Sequence, residues 1–268
     1  MNHLYRELAP VSSGAWEEIE KEAKRTLKTT CAARKLVDFV GPQGWEVSAV
    51  SRGRIRSIEP PGGGVQAQLR KVLPLVELRV PFELLRDEID AVDRGAKDFD
   101  TDPVIEAARA IAIAEDRAVF HGYSAAGIEG ICEGGAKAAV ELNDDYATFP
   151  ASVTTALNRL RDAGVGGPFA VALSERCYVG LTEATVGGYP VFEHVRRLVE
   201  GPLVWAPGLE GAVVLSMRGD DFQLTIGQDF SIGYLEHDAR RVRLYIEESF
   251  TFWLLSPQAA VPLSFLKT

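Results

Sequence analysis

The sequence has few of the residues on which metal, redox or disulfide chemistry depends. Its 268 residues include three cysteines, four histidines and two methionines. Cys31, Cys132 and Cys177 are odd in number, widely separated and form no C-x-x-C pair. The pattern therefore indicates neither a zinc site nor a disulfide framework, and it is typical of a protein of a reducing cytoplasm.

The sequence also has no long hydrophobic run and no excess of positive charge. Its apolar runs are far shorter than the ~20 residues that span a bilayer, and the N-terminal MNHLYRELAP has no signal-peptide core. A formal net charge of −9 argues against sequence-independent nucleic-acid binding and against docking on anionic lipid, because both need clustered Lys and Arg. We therefore expect neither nucleic acid nor a membrane as a partner.

A catalytic constellation is also missing. GYSAAG at 122–127 is close to the G-x-S-x-G nucleophile motif, but Ala126 stands at the second glycine position. No H-E-x-x-H motif is present, and the histidines fall in four different segments, at His3, His121, His194 and His237. A hydrolase in which a distant histidine reaches Ser124 in the fold stays open as an alternative.

The remaining polar clusters have simple structural interpretations. Asp144–Asp145 and Asp220–Asp221 are adjacent carboxylates, which point apart in a strand or turn and are more typical of solvated loops than of a metal clamp. Gly62–Gly64 has no P-loop context, since no helix begins behind it. We expect no catalytic residue and no metal ligand.

A long alternation dominates the C-terminal part of the sequence. In RVRLYIEESFTFWLL, residues 241–255, most even positions are apolar and most odd positions are polar. This period of two predicts a β-strand with one buried and one polar face. At ~3.3 Å per residue the strand would extend roughly 45–50 Å, far beyond the usual five or six residues. Such a strand suits a broad, thin molecule better than a compact sphere.

The first strong helical pattern follows Pro10. Ser12 or Ser13 is placed to cap the helix, and apolar residues then recur at helical spacing at Trp16, Ile19, Ala23, Leu27 and Cys31. In one interpretation, this apolar stripe packs only on the protein's own core. In the other, it also presents the edge of a groove to a partner segment.

Three further segments complete the organisation. Residues 46–58 and 65–80 predict two arms of a long hairpin around the PPGGG tip at 60–64. Asp102 and Pro103 predict the start of a long helix that ends before Gly122. Residues 130–225 alternate helical and strand-like pieces and predict a compact α/β module.

Six segments, in order along nearly the whole chain, resemble the encapsulin family of bacterial and archaeal nanocompartment shells. They are LYRELAPVSSGAWEEIEKEA, ARKLVDFVGPQGWE, LRKVLPLVELRVPF, EDRAVFHGY, IGQDFSIGY and RLYIEESFTF. The resemblance implies the α+β fold of tailed-phage major capsid proteins. It divides the chain into an N-terminal helix region (1–45), an extended loop (46–80), a peripheral domain with a long spine helix (81–129 and 226–268) and an axial domain (130–225).

The function that the resemblance implies is structural rather than enzymatic. Copies of the chain would close into an icosahedral shell of sixty subunits through heterologous interfaces. The shell would form a cytoplasmic nanocompartment and enclose a cargo enzyme through the cargo's C-terminal targeting peptide. Ferritin-like iron-storage proteins and dye-decolorising peroxidases are the family's main cargoes, which would imply iron storage or oxidative-stress defence.

The resemblance also implies a cargo-peptide site on the inner wall, beside the N-terminal helix. Arg34 and Asp38 match the family's ARKLVD-type segment. Polar groups would orient the peptide backbone while apolar neighbours hold its side chains. The remaining residues of this site are Phe39, Asp229, Phe230, Ser231, Ile232 and Tyr234. Alternatively, Arg34 and Asp38, four residues apart, form only a structural ion pair.

Two further features are implied in the same way. TVGGYPV resembles the segment that rims the fivefold pore, which assigns Thr185, Val186, Gly187, Gly188 and Tyr189 to the pore. The two glycines either give flexibility or make a turn before Pro190. Some family members bind flavin beside a tryptophan that aligns with Asp87 here, so no cofactor is expected.

Two alternatives to a shell subunit follow from the same family. A phage capsid protein would share the fold, but it usually has a scaffolding or processed N-terminal extension, whereas this sequence starts close to its first helix. Members have also been described as bacteriocins with proteolytic activity, and that alternative lacks a nucleophile–base pair here.

Overall fold

The computed structural model describes residues 3–265. They form two five-stranded sheets, each with helices packed against it. The helices are α1 (Ser13–Thr30), α2 (Arg86–Asp93), α3 (Asp102–His121), α4 (Ile131–Gly134), α5 (Phe149–Asp162), α6 (Glu175–Glu183) and α7 (Val191–Leu198). The first strands are β1 (Asp38–Val40), β2 (Ala49–Ile58), β3 (Ala67–Pro74), β4 (Val76–Leu85), β5 (Val140–Leu142), β6 (Phe169–Leu173) and β7 (Thr185–Val186). The others are β8 (Tyr189–Pro190), β9 (Leu203–Trp205), β10 (Ala212–Ser216), β11 (Phe222–Ile226), β12 (Ser231–His237), β13 (Arg241–Leu254) and β14 (Ala260–Phe265).

The predicted long strand is confirmed, and β13 is the centre of the first sheet. Strand β4 pairs with its residues 241–250 along one edge. Strand β12 pairs with residues 242–247 and β11 with residues 250–254 along the other edge. The strand is long because three separate strands pair with it, and β1 extends the sheet by pairing with β11.

Helices α1 and α3 cover one face of this sheet. Ser12 caps α1 by accepting a hydrogen bond from the Ala15 backbone N–H at 3.1 Å, as the sequence predicts. The apolar stripe of α1 packs on α3 and on the even-numbered residues of β13. The helix therefore contributes to the protein's own core through Ala15, Trp16, Ile19 and Ala23.

The predicted polar face of β13 is wrong for the middle of the strand. Tyr245, Glu247 and Thr251 are buried although they occupy odd positions. The reason is a second cover: Tyr245 Oη donates to the His3 carbonyl at 3.4 Å, and Gln228 N donates to Ser249 Oγ at 2.9 Å. The N-terminal segment and the turn before β12 therefore lie across this face.

The predicted spine helix is confirmed as α3, with a small difference at its start. The sequence indicates Asp102 as the N-cap, whereas Asp102 is the first helical residue and Thr101 precedes it without a side-chain capping bond. The helix spans twenty residues and buries an alanine-rich face, including Ala107, Ala108 and Ala112. These small side chains allow α1 and β4 to approach it closely.

The second sheet has the strand order β5-β14-β10-β6-β9. Strand β6, FAVAL, is completely buried, and α5, α6 and α7 contribute to the same core. Two strands differ from the predicted division of the chain. Strand β11 begins within 130–225 but pairs with β13, and β14 lies in 226–268 but pairs with β5 and β10.

The predicted hairpin is present but shorter than 46–80. Strands β2 and β3 form an isolated two-stranded sheet. The second arm ends at Pro74, and Val76 starts β4, because from there the chain pairs with β13 instead. Almost every residue of the hairpin is exposed, including Ile55, Leu69 and Val72. Across residues 3–265, no helix combines the length and apolar character needed to cross a membrane.

Candidate functional site

An open groove of about 630 Å³ lies between α1 and the start of β12. One wall comes from α1, and the other comes from the turn that leads into β12. The N-terminal segment closes part of the rim, where Arg6 pairs with Glu20 at 2.5 Å. The groove is lined by Leu4, Arg6, Glu20, Ala23, Lys24, Leu27, Lys28, Cys31, Arg34, Lys35, Asp229, Phe230, Ser231, Ile232 and Ile246.

Arg34 at the groove joins three separate elements. Its Nε and Nη2 donate to Glu115 of α3 at 2.9 and 2.6 Å. Nη2 also donates to Glu248 of β13 at 3.0 Å, and Nη1 donates to Asp229 at 2.7 Å. The guanidinium lies 4.1 Å from the centre of the Phe230 ring, a cation–π distance. A single side chain thus fixes the groove wall to the core.

The electrostatics of this set depend on its burial. Glu115 and Glu248 are completely buried, and Arg34 is only 16% exposed. Burial alone lowers the pKa of Arg34, but the hydrogen bond and charge of Glu115 outweigh it and raise that pKa above its ordinary value. Burial, followed by the negative charge of Glu115, raises the pKa of Glu248 well above its usual range.

Sequence reasoning missed Glu115 and Glu248 as part of the site, although both left a signal. Glu248 interrupts the even-numbered apolar series of β13. Glu115 recurs in phase with the buried alanines of α3. A charged residue on an apolar face needs a buried partner of opposite charge. The sequence does not show which residue that partner is, and in the structure it is Arg34.

The predicted cargo-peptide residues divide into two groups. Arg34, Asp229, Phe230, Ser231 and Ile232 line the groove. Ser231 Oγ donates to the Asp229 carbonyl at 2.8 Å, and Phe230 N donates to Asp229 Oδ1 at 2.9 Å, so the wall has a compact internal structure.

The other three predicted residues lie outside the groove lining. Asp38 Oδ2 accepts a hydrogen bond from Asp220 N at 2.7 Å, beside a smaller cavity of about 80 Å³. Phe39 is 40% exposed and lies 5.3 Å from the Arg34 guanidinium. Tyr234 Oη bonds His237 Nδ1 at 2.6 Å, and its backbone N–H donates to the Leu4 carbonyl.

The alternative of a structural Arg34–Asp38 ion pair is therefore wrong in its choice of partner. Within residues 3–265 Arg34 makes its ion pairs with Glu115, Glu248 and Asp229. Asp38 lies in β1, where it pairs in register with Gln223 of β11. The role of these residues in peptide binding stays a prediction.

Asp116 fixes the turn that carries Arg34. Its carboxylate accepts hydrogen bonds from the backbone N–H groups of Ala32 and Ala33 at 2.9 and 2.8 Å. Burial raises the pKa of Asp116 to about 7, although these two hydrogen bonds oppose the shift. Cys31 in the same turn is buried, and burial raises its pKa, which makes it an unreactive thiol.

The predicted pore segment forms a tight hairpin. Thr185 and Val186 pair with Tyr189 and Pro190, and Gly187 and Gly188 occupy the turn with φ of 58° and 80°. Positive φ at both central positions defines a turn that favours glycine, so the two glycines make a turn rather than a flexible segment. The assignment of this hairpin to a pore stays a prediction.

The hydrolase alternative gains no geometric support. His121 Nε2 accepts a hydrogen bond from Glu210 N at 3.0 Å, and burial lowers its pKa. Ser124 lies in the short 3-10 turn after α3, and its side chain bonds no histidine in the part of the chain that the structure describes. Within residues 3–265, no three His, Cys, Asp or Glu side chains are grouped to hold a metal ion.

Asp87, the position that aligns with a flavin-binding tryptophan in some similar proteins, is exposed in the first turn of α2.

The fold defines the class of protein first. A virus-like particle from Pyrococcus furiosus superposes with a TM-score of 0.63 at 16% identity, covering 91% of this chain and 97% of that one. The capsid of Myoviridae phage XM1 gives a TM-score of 0.57 at 10% identity over 87% and 91% of the two chains. This confirms the predicted α+β, phage-capsid-like fold.

Sequence similarity then identifies the family. A family model described as "Encapsulating protein for peroxidase" matches residues 1–251. A type 1 encapsulin shell protein from Rhodospirillum rubrum is 58% identical over 98% of this chain and 96% of its own length. The type 1 encapsulin shell protein of Mycobacterium tuberculosis is 50% identical over 98% and 100%. The chain belongs to the encapsulin shell-protein family.

This membership decides between the alternatives that the sequence left open. The relatives are structural shell proteins, which confirms that the chain is not an enzyme and removes the support for a proteolytic bacteriocin. Phage capsid proteins share the fold at 10–14% identity and are related in architecture alone.

Proposed function

We propose that this chain is the subunit of a closed icosahedral shell that binds the C-terminal targeting peptide of a cargo enzyme in the groove beside α1. The observation that carries the proposal is the groove itself. It combines apolar walls from Leu27, Phe230 and Ile232 with polar groups at Asp229 and Ser231. Peptide grooves commonly use this combination, in which apolar contact gives affinity and a few polar groups fix direction.

The groove has room for an extended segment. It is open to solvent, and its volume of about 630 Å³ exceeds the space of a single side chain. Lys24 and Lys28 project from α1 at its edge, where their aliphatic stems can cover a bound peptide. A short peptide with spaced aliphatic side chains fits these features.

The hairpin of β2 and β3 supports the shell assignment. A two-stranded ribbon is marginal alone in water, because it buries too little apolar surface. Ile58 and Leu69 are exposed on one face of the ribbon, while Ile55 and Val72 are exposed on the other. A second copy of the chain that covers these side chains would supply the missing burial.

The copy number and location follow from the same proposal. A thin, extended subunit of this family closes with sixty copies in the smallest icosahedral shell. We place the resulting nanocompartment in the cytoplasm, with the groove on its inner wall and the hairpin of β7 and β8 at the fivefold pore. No flavin is assigned to the shell, because Asp87 offers no aromatic surface for stacking.

The cargo is proposed as a peroxidase, with a ferritin-like protein as the second candidate. The family description, an encapsulating protein for peroxidase, supports the first. A peroxidase would give the compartment a role in oxidative-stress defence, and a ferritin-like protein would give it a role in iron storage. The groove recognises the targeting tail rather than the enzyme that carries it.

A loading experiment with a matched control tests the proposal. The shell protein is coexpressed with a fluorescent protein that carries the C-terminal tail of a dye-decolorising peroxidase, or of a ferritin-like protein, from the same organism. Wild-type particles should carry fluorescence, and Leu27→Gln should give intact but empty particles. Leu198→Gln makes the same change on the exposed end of α7 and should load normally. Equal loading of both variants would contradict the assignment of this groove.

A further inference from the structure

The Arg34 guanidinium is almost fully occupied by protein groups. Nε donates to Glu115, and Nη2 donates to both Glu115 and Glu248. Nη1 donates to Asp229, which leaves one Nη1 hydrogen for a ligand. Its flat face covers the Phe230 ring at 4.1 Å. Arg34 is therefore better placed to hold the groove wall than to bind a peptide directly.

We propose that Glu115 and Glu248 are positioning residues for cargo binding, which act through Arg34 on Asp229 and Phe230 of the groove wall. This inference rests on the proposed function and specifies how that same groove is shaped. The two acids lie beneath Arg34, on α3 and β13, whereas Asp229 and Phe230 lie above it at the groove. Without Glu115 and Glu248, nothing would fix the orientation of the Arg34 guanidinium beside Asp229 and Phe230.

The charge around Arg34 is unusual because three carboxylates face it from three elements. Glu248 Oε2 accepts from Arg34, but Glu248 Oε1 is buried with no hydrogen-bond partner among the described residues. An unpaired buried carboxylate oxygen is costly, whereas a protonated carboxyl can act as a donor. The other titratable or charged groups that face this cluster are Asp116 of α3, and Cys31 and Lys35 of the turn after α1.

The geometry therefore assigns a neutral carboxyl to Glu248. Glu115 makes the two-pronged contact with Arg34, in which Oε1 accepts from Nε and Oε2 accepts from Nη2. Burial and the adjacent Glu115 raise the pKa of Glu248, in agreement with this assignment. When Glu248 loses its proton at high pH, its negative charge competes with Asp229 for Arg34. The contact between Arg34 and Asp229, which holds the groove wall, should then weaken.

Four variants separate this role from a merely structural one. Glu248→Gln keeps the shape of a neutral carboxyl and should load the tailed fluorescent protein like the wild type. Glu115→Gln and Arg34→Lys each remove part of the two-pronged contact and should lower the cargo carried per particle by about tenfold. Glu248→Ala removes the group that accepts from Arg34 Nη2 and should also lose cargo, so rescue by glutamine is the informative comparison. Only variants that form particles of wild-type mass are compared.

Hydrogen exchange at the groove wall gives the second readout. In cargo-free particles that carry Asp116→Asn, which removes the titration of Asp116, residues 229–232 should lose protection as the pH rises, after correction for intrinsic exchange, whereas adding Glu248→Gln should abolish this loss. If Glu115→Gln gives no particles, Arg34→Lys and this pH profile decide the question. Wild-type cargo content in Arg34→Lys, or the same pH profile with and without Glu248→Gln, would overturn the inference. If even the wild type and Leu198→Gln fail to load, the proposed function fails instead.

Discussion

The ring of Tyr245 in β13 lies directly over Gly233, its register partner in β12. A Cβ added at Gly233 would overlap the ring carbons and the hydroxyl of Tyr245. The other side of the ring faces the Arg79 guanidinium, 4.1 Å from its centre. Tyr245 is thus enclosed between a glycine and a cation, which explains how an odd-numbered aromatic residue of β13 is only 2% exposed.

Gly233→Ala is expected to destabilise the subunit by about 1–3 kcal/mol, because the added methyl group forces Tyr245 out of a tightly packed position. For a chain of this size that corresponds to a fall in melting temperature of roughly 2–4 °C per kcal/mol. Differential scanning calorimetry of purified particles measures it. Gly63→Ala, where a Cβ meets nothing within 4 Å, should leave the transition unchanged. A wild-type transition for Gly233→Ala would show that the strand pair adapts freely.

Arg34→Ala should cost about 3–5 kcal/mol of stability, because it leaves the buried Glu115 without its cation and the buried Glu248 without its hydrogen-bond donor. Chemical denaturation of Arg34→Ala, with Glu248→Gln as the comparison, measures this loss in the free energy of unfolding. Loss of cargo in Arg34→Ala, alone or combined with Asp38→Ala, therefore does not by itself identify a peptide contact. Wild-type stability of Arg34→Ala would contradict the buried network described above.

Leu69→Arg is expected to prevent closed particles, since it places a charge on an exposed apolar position of the β2–β3 hairpin. Gln68→Arg introduces the same residue on the other face, opposite Ser57 and two positions from Arg70, and should still assemble because that face already carries an arginine. Mass photometry of both variants distinguishes particles from free subunits. Normal assembly of Leu69→Arg would mean that this face of the hairpin is not covered by a neighbour.

Asp116 should give stability a specific pH dependence. Burial raises its folded-state pKa from an ordinary 3.8 to about 7, so the native state binds a proton that the unfolded chain releases between these values. The contribution of Asp116 to the free energy of unfolding is largest below about pH 4. It decreases as the pH rises toward about 7, by at most about 1.4 kcal/mol per pH unit, and is constant at higher pH.

Asp116→Asn removes this titration. Its amide oxygen can still accept from the Ala32 and Ala33 N–H groups, both of which bond Oδ1 in the native protein. Denaturation curves between pH 5 and 8 should therefore show a shallower decline for Asp116→Asn than for the wild type. Equal slopes would place the pH dependence elsewhere.

The elements of this fold were predictable where their pattern is local. The period of two in β13, the serine cap of α1 and the Asp102–Pro103 start of α3 all act within a few residues. The sheet partners of β11 and β14 were not, because pairing between residues far apart in sequence leaves no local signal. The buried odd face of β13 was missed for the same reason, since its cover comes from the N-terminus.

The candidate site followed the same division. Arg34 and the segment from Asp229 to Ile232 were identified by resemblance and meet at one groove. Glu115 and Glu248 were missed because their importance comes from a contact across three elements. The apolar side chains on the hairpin are exposed in the single chain, and the proposed assembly is what would cover them.

The mass of the purified particle tests the central claim most directly. Size-exclusion chromatography with light scattering, and negative-stain images of the same peak, measure it. Sixty copies of a 29.2 kDa chain predict spherical particles of about 1.8 MDa. A monomer or dimer across a range of salt and pH would contradict the shell, even though the subunit has the fold of one.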